Sequence, residues 1–147
     1  DAQLACESLV DDFQRRHPAA HDPFLGCQVV GTHCRGIFRR LDFVLLAGDA
    51  EAKEEDYMAN GPYTGPLTVL KVTHHGSNTS STPLFLNAFR PKVAVIQVGA
   101  DNSYGHPTPE TLTRLREYGA KVFRNDEDGD VIVTIKDQKI DVAVTKP

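Results

Sequence analysis

"LDFVLLAGDAEAKEEDYMANGPYTGPLTVLKVTHHGS", residues 41–77, reads as a strand, a helix and a second strand. Its opening, "LDFVLLAGD" (41–49), is an apolar run of strand length stopped by Gly48-Asp49. "AEAKEEDYMA" (50–59) consists largely of strong helix formers and ends at Asn60-Gly61. After the loop "GPYTGP" (61–66), "LTVLKVTHH" (67–75) returns to β-branched and apolar residues. Apolar strands alternating with a helix argue for an α/β layered sheet.

The pattern repeats downstream. "TPLFLNAF" (82–89) predicts a short helix with Thr82 as N-cap and Pro83 at its first position. "KVAVIQVG" (92–99) is a third strand. "TPETLTRLREYG" (108–119) is another capped helix, with Thr108 as N-cap, Pro109 next and Gly119 as the stop. "KVFR" (121–124), "DVIVTI" (130–135) and "IDVAVT" (140–145) are short strands, with a tight turn expected at Asp128-Gly129. Residues 41–124 therefore predict an α/β layered sheet whose strands are buried on both faces.

In such sheets polar chemistry gathers where the strands end. The first strand ends in Gly48-Asp49, the second in His74-His75-Gly76-Ser77. The third runs into Gly99-Ala100-Asp101-Asn102-Ser103-Tyr104-Gly105-His106-Pro107. A carboxylate, imidazoles, amides and hydroxyls at neighbouring strand ends are the composition of a metal-assisted hydrolytic site. Asp49 has two readings, a ligand projecting from the strand end or the N-cap of the following helix. Side-chain alternation along a regular strand would aim only one of the two histidines into the site. His75 shares a parity with Lys71 and Thr73 and is the better ligand; His74 is a supporting donor or a substitute. Lys71 either extends its ammonium outward or reaches an anionic substrate or Asp49. His106, between Gly105 and Pro107, is a ligand, a general acid or a phosphate contact. Ser77, Thr79 and Asn102 are hydrogen-bond donors for substrate oxygens, while the hydroxyl run 79–82 reads as ordinary loop chemistry.

The 147 residues suffice for one domain with a core, and 40% hydrophobic with 24% charged residues argues against wholesale disorder. A net charge of −4 gives no overall basic field, so a polyanion would need a local patch or a metal. No apolar run reaches membrane-spanning length. The start, "DAQLACESLVDDF", has neither the basic opening nor the apolar stretch of a signal peptide. Without an initial Met, a processed chain or an excised fragment is expected, and its compartment stays unassigned. Cys6, Cys27 and Cys34 are odd in number and form no C-x-x-C, so they read as free thiols. Residues 1–40 differ in character from 41–147. They contain a helix over 2–16, carried by Leu4, Leu9, Val10 and Phe13 and ended by His17-Pro18, and then a loop with "CQVV" (27–30) as a short strand.

"FVLLAGDAEAKEE", "LTVLKVTHHGSNTSS", "PKVAVIQVGADNSYGHPTPETLTRL" and "KVFRNDEDGDVIVT" together resemble the C-terminal half of a metallo-β-lactamase-fold hydrolase over residues 41–135. Within that family the ComEC-like subgroup, linked to competence and DNA uptake, is most similar, and cell-wall phosphorylcholine esterases are relatives. The resemblance implies an αββα sandwich with a two-metal site of zinc, or of manganese. It makes Asp49 the bridging ligand, His75 or His74 a further ligand, and places Asn102 and His106 at the rim. Phosphoester substrates, nucleic acid among them, follow from it. The sequence lacks the H-x-H-x-D-H of the family's first half and the further His before the Gly-Asp block. "HPAAHD" (17–22) has His17, His21 and Asp22 at a different spacing, and His33 is a candidate stand-in for the later His. Three readings follow: a piece of a longer hydrolase, a catalytically incomplete binding or assembly module, or a site completed by residues 1–40. A single sheet with one bare apolar face is an aggregation hazard, so a second copy or the rest of the domain is expected as a partner.

Overall fold

The computed structural model describes residues 28–31, 43–61, 64–136 and 139–146. The expected helix over 2–16, His17, His21, Asp22, His33 and the three cysteines lie outside those residues.

The apolar runs form a five-stranded sheet in the order β1 (Gln28–Gly31), β2 (Phe43–Leu46), β3 (Val69–Lys71), β4 (Val93–Ile96), β5 (Lys121–Arg124). β2 to β5 are parallel, and β1 adds antiparallel to β2 at the edge. The crossovers carry α1 (Ala52–Ala59), α2 (Pro83–Phe89) and α3 (Pro109–Glu117). The result is the expected α/β fold. After β5 come a one-turn helix, α4 (Asn125–Asp128), and an antiparallel hairpin, β6 (Val131–Lys136) with β7 (Lys139–Val144).

Local chemistry explains most boundaries. Thr82 Oγ1 accepts from the Phe85 N–H at 3.3 Å, and Thr108 Oγ1 from the Thr111 N–H at 3.4 Å, so both expected caps form. Gly119, at φ +84°, closes α3 in the left-handed region that glycine enters without a Cβ clash. Two expectations fail. Asp128-Gly129 is no tight hairpin turn: residues 125–128 close one helical turn, and Gly129 at φ +74° ends it. The second strand does not continue through His75 either. It stops at Lys71, and Thr73–Gly76 coil into a 3₁₀ turn.

Alternation along the strands sorts the sheet into two faces. Leu45, Leu70, Val72, Ala94 and Ile96 point to one side and are at most 2% exposed. Phe85, Leu86 and Phe89 of α2 and Leu115 of α3 join the same cluster, with Met58 of α1 packed at its margin. All three helices therefore lie on one face. Strand order follows chain order, and right-handed crossovers then place successive helices on the same side. The opposite face is only partly covered. Val69 and Val93 are buried there, but the next row, Leu46, Lys71, Val95 and Phe123, is half-buried or exposed, with Leu46 at 39%. Burial on both faces thus fails for the row nearest the strand ends. The hairpin has a one-sided apolar face too: Val131 pairs with Val144, Val133 with Val142 and Ile135 with Ile140, all half-buried. Among the described residues no helix is long and apolar enough to cross a membrane.

Phe85 is fully buried and its ring lies 4.8 Å from that of Phe89. Phe85→Ala should cost about 3–5 kcal/mol of stability, the range for deleting a buried aromatic ring. Urea denaturation of the two proteins measures it.

Candidate functional site

Parallel register brings the ends of β2, β3 and β4 level, since Leu46 pairs with Lys71 and Lys71 with Val95. Beyond Leu46, Gly48 at φ +58° turns the chain and leaves Asp49 on the surface, its side chain 70% exposed. Asp49 is not the helix cap: Glu51 takes that position, and its own N–H donates to Glu54 Oε2 at 3.2 Å.

Beyond β3 both histidines occupy left-handed backbone, His74 at φ +45° and His75 at φ +53°. That region costs a non-glycine residue roughly 1–2 kcal/mol. The His74 N–H donates to the Gly48 carbonyl at 3.0 Å, which ties the two strand ends together. Gly76 follows at φ +82°, and a Cβ there would meet Pro107 Cβ at 2.6 Å. Only glycine lets the His-His turn lie against the third loop, where the Thr108 N–H donates to the Gly76 carbonyl at 3.0 Å.

The two rings face different neighbours. His75 Nδ1 lies 2.6 Å from the Gln97 carbonyl oxygen. A carbonyl only accepts, so Nδ1 carries the hydrogen, and Nε2 of the neutral ring is a lone pair. Nε2 faces Asp49 Oδ1 at 3.4 Å. Two acceptors at that distance are stable when a proton or a cation lies between them. His74 Nδ1 lies 3.0 Å from Glu51 Oε1 but is not aligned for a hydrogen bond. Thr79 Oγ1 donates to the same Glu51 oxygen at 3.3 Å. The His74 ring meets His106 edge-on, centroids 5.8 Å apart, and Tyr104 stacks on His106 with centroids 6.0 Å apart. His106 Nδ1 is buried with no hydrogen-bond partner among the described residues.

The remaining expected contacts lie elsewhere. Asn102 closes its own loop: Nδ2 donates to the carbonyls of Gly99 and His106 at 2.9 and 2.8 Å, and Oδ1 accepts from the His106 N–H at 3.0 Å. Ser77 is 5% exposed, its hydroxyl 2.9 Å from Thr79 Oγ1. Lys71 lies on the half-open sheet face, in the row of Leu46 and Val95.

His75 also lines an open cleft of about 580 Å³ with Gln97, Val98, Gly99, Asn125, Gly129 and Asp130. The α4 wall of that cleft is braced by Arg124, which binds Asp126 through Nε at 3.0 Å and through Nη2, and Glu127 through Nη1 at 2.7 Å. The hydrogen bonds from Arg124, together with its charge, hold the Asp126 carboxyl below the ordinary carboxylate range, and the same contacts raise the guanidinium. Sequence reasoning missed Glu55, Arg114 and the Gln97 carbonyl. Glu55 had a visible signal: it sits three residues before Met58, on the inward stripe of α1. Nothing in the residue type marks a backbone carbonyl.

Among the described residues no three His, Cys, Asp or Glu side chains converge as a metal-holding group. No family model matches the chain. It is 44% identical over 88 residues to the competence protein ComA of Neisseria gonorrhoeae, matching 58% of this chain and 13% of that one. It is 37% identical over 99 residues to recombination protein 2 of Haemophilus influenzae, or 67% of this chain and 12% of that one. With ComE operon protein 3 of Bacillus subtilis it shares 36% identity over 87 residues, 59% of this chain and 11% of that one. The chain thus spans about an eighth of the length of these curated relatives. The first of these is named for competence, in keeping with the resemblance read from the sequence.

Gly76→Ala should separate the His-His turn from the 105–108 loop and lower the thermal midpoint, because its Cβ meets backbone-anchored proline atoms rather than a flexible side-chain end. A loss of the amide protection of Thr108 on hydrogen exchange reports the separation. The lowered carboxyl of Asp126 favours the fold above the unfolded carboxylate pKa and loses that contribution as pH falls through its folded value. The stability gap between the native protein and Asp126→Asn should therefore be full near neutrality and close on acidification below about pH 4, the ordinary carboxylate value, as followed by thermal melts across pH.

Proposed function

We propose that this chain is the C-terminal half of a metallo-β-lactamase-type αββα domain of the ComEC-like group, that it serves DNA uptake, and that it takes part in metal-dependent hydrolysis of phosphoester bonds. One observation carries the reading. His75 Nδ1 is committed to the Gln97 carbonyl, which aims the Nε2 lone pair at the Asp49 carboxylate. A ligating imidazole whose other nitrogen donates to a backbone carbonyl is the usual arrangement at metal sites. The similarity to a competence protein supports the biological setting.

The donor set fits a divalent cation of the zinc or manganese type, with Asp49 and His75 holding it and His74 beside them. The described residues supply two facing donors where a catalytic zinc takes three, so in this reading the other half of the sandwich supplies the rest. The half-exposed row of Leu46, Val95 and Phe123 is the surface on which that half, or a second copy, would pack. Bound there, a metal pair would supply an activated hydroxide and charge stabilisation for the phosphoryl oxygens. The chain's own residues do the rest. Gly48 and the His74 N–H bond hold Asp49 and His75 at one level. His106, with its buried Nδ1, stands at the rim to exchange a proton with substrate, and Lys71 on the half-open face is left to meet an anionic group, while Asn102 and Ser77 hold their loops rather than the substrate. The cleft beside His75 takes the body of the substrate.

Protein that includes the other half of the domain should bind zinc or manganese and hydrolyse a phosphodiester, DNA included, and Asp49→Ala and His75→Ala should each lower metal affinity and turnover by more than the roughly 10–100-fold that losing a residue orienting a ligand costs. Metal content and activity unchanged in both variants reject the assignment. Less than one equivalent of tightly held metal together with no turnover in the unaltered protein leaves a binding or assembly module instead.

A further inference from the structure

The loop that carries the two histidines, residues 73–82, has a third residue in left-handed backbone, Ser81 at φ +52°. Loops with three such non-glycine residues do not hold themselves. This one is gripped from both sides by opposite charges that come from different helices. On the amide side is Glu55 of α1, fully buried. Its Oε1 accepts from Thr73 Oγ1 at 2.6 Å and from the Ser81 N–H at 2.6 Å, and its Oε2 from the Thr82 N–H at 2.7 Å. On the carbonyl side is Arg114 of α3. Nε donates to the Ser81 carbonyl at 3.1 Å, and Nη2 reaches the carbonyls of Ser80 at 2.9 Å and Asn78 at 3.1 Å. Thr111 Oγ1 adds a bond to the Ser77 carbonyl at 2.8 Å, and Ser80 Oγ one to the Thr73 carbonyl at 2.8 Å. Ser81 is thus held by its N–H and its carbonyl at once.

Glu55 lies six residues after Asp49, on the helix that the Asp49 turn opens into, and its partner Thr73 lies two residues before His75. The carboxylate therefore joins the segment bearing Asp49 to the segment bearing His75. A burial this complete would be costly for a charge without its three donors. We propose that Glu55 is a positioning residue, with Arg114 as its counterpart, and that it sets the His75 ring against Asp49 through Thr73. The proposal rests on reading Asp49 and His75 as the working pair.

The test uses the metal-free protein first. At a fixed pH of about 8, above the ordinary histidine range, ¹⁵N signals of the His75 ring should show Nδ1 protonated in the unaltered chain. Glu55→Gln keeps the shape but replaces one acceptor oxygen by an NH₂ group that opposes the loop donors. It should shift the ring to mixed tautomers and, in a zinc titration, weaken binding by about 10–100-fold, the usual effect of losing a residue that orients a ligand. Thr73→Val and Thr73→Ser test the route even where Glu55→Gln folds poorly: valine should reproduce the tautomer change, and serine, which keeps the hydroxyl, should restore the native signal. A lower thermal midpoint with an unchanged His75 signal in Glu55→Gln and in Thr73→Val overturns the proposal, whatever the protein does with metal. A shifted His75 signal in a protein that binds no zinc at all upholds the positioning and sinks the proposed hydrolase instead.

Discussion

Everything at the working end of this molecule depends on the in-register parallel ladder of β2, β3 and β4. Leu46, Lys71 and Val95 lie side by side, so three loops leave the sheet at one height. Parallel strands need long crossovers, and in this chain each crossover is a helix on the same face. That leaves the polar loops at one edge of the sheet and an apolar cluster of Leu45, Leu70, Val72, Ala94 and Ile96 with Phe85 and Leu86 beneath them. Asp49 and His75 meet because their strands end together.

The ladder brings the chain segments together, but it does not orient the rings. Orientation comes from a dense set of polar contacts behind the site. The His74 N–H reaches across to Gly48, Gly76 lets Pro107 approach, and Gln97 takes the hydrogen of His75 Nδ1. Behind these, Glu55 and Arg114 hold the loop amides and carbonyls. Left-handed backbone at His74, His75 and Ser81 is tolerated because the bonds around it over-determine the loop. The hydroxyl run of residues 79–82 belongs in part to this framework: Ser80 Oγ bonds the Thr73 carbonyl and Thr82 Oγ1 caps α2, whereas Ser81 is held through its N–H and carbonyl.

The two faces of the sheet make a contrast with functional weight. One is closed by three helices; the other ends in a row with Leu46 at 39% exposure. The hairpin presents a second one-sided apolar surface, Val131, Val133 and Ile135 opposite Val144, Val142 and Ile140. Surfaces of that kind are where a second layer or another chain packs in an α/β assembly. The matched segment makes up 11–13% of the length of the curated relatives.

The alternation of apolar strands with capped helices was legible before any coordinates, because it rests on local rules: β-branched runs, Thr-Pro helix starts at residues 82–83 and 108–109, and a glycine stop at 119. The clusters at the strand ends were legible for the same reason, and there the Asp49 and His75 side chains face each other. Side-chain parity, the argument that favoured His75 over His74, does not apply, since the strand ends at Lys71 and both rings are set by a 3₁₀ turn. Which nitrogen of His75 carries hydrogen, why Gly76 must be glycine, and what a buried glutamate does at position 55 depend on atoms 18 or more residues away along the chain. Local sequence determines which elements form and which residues stand at their ends. Only tertiary packing decides the direction of a side chain in a loop, because there the backbone has no repeating period and each angle is set by partners that the fold alone brings near.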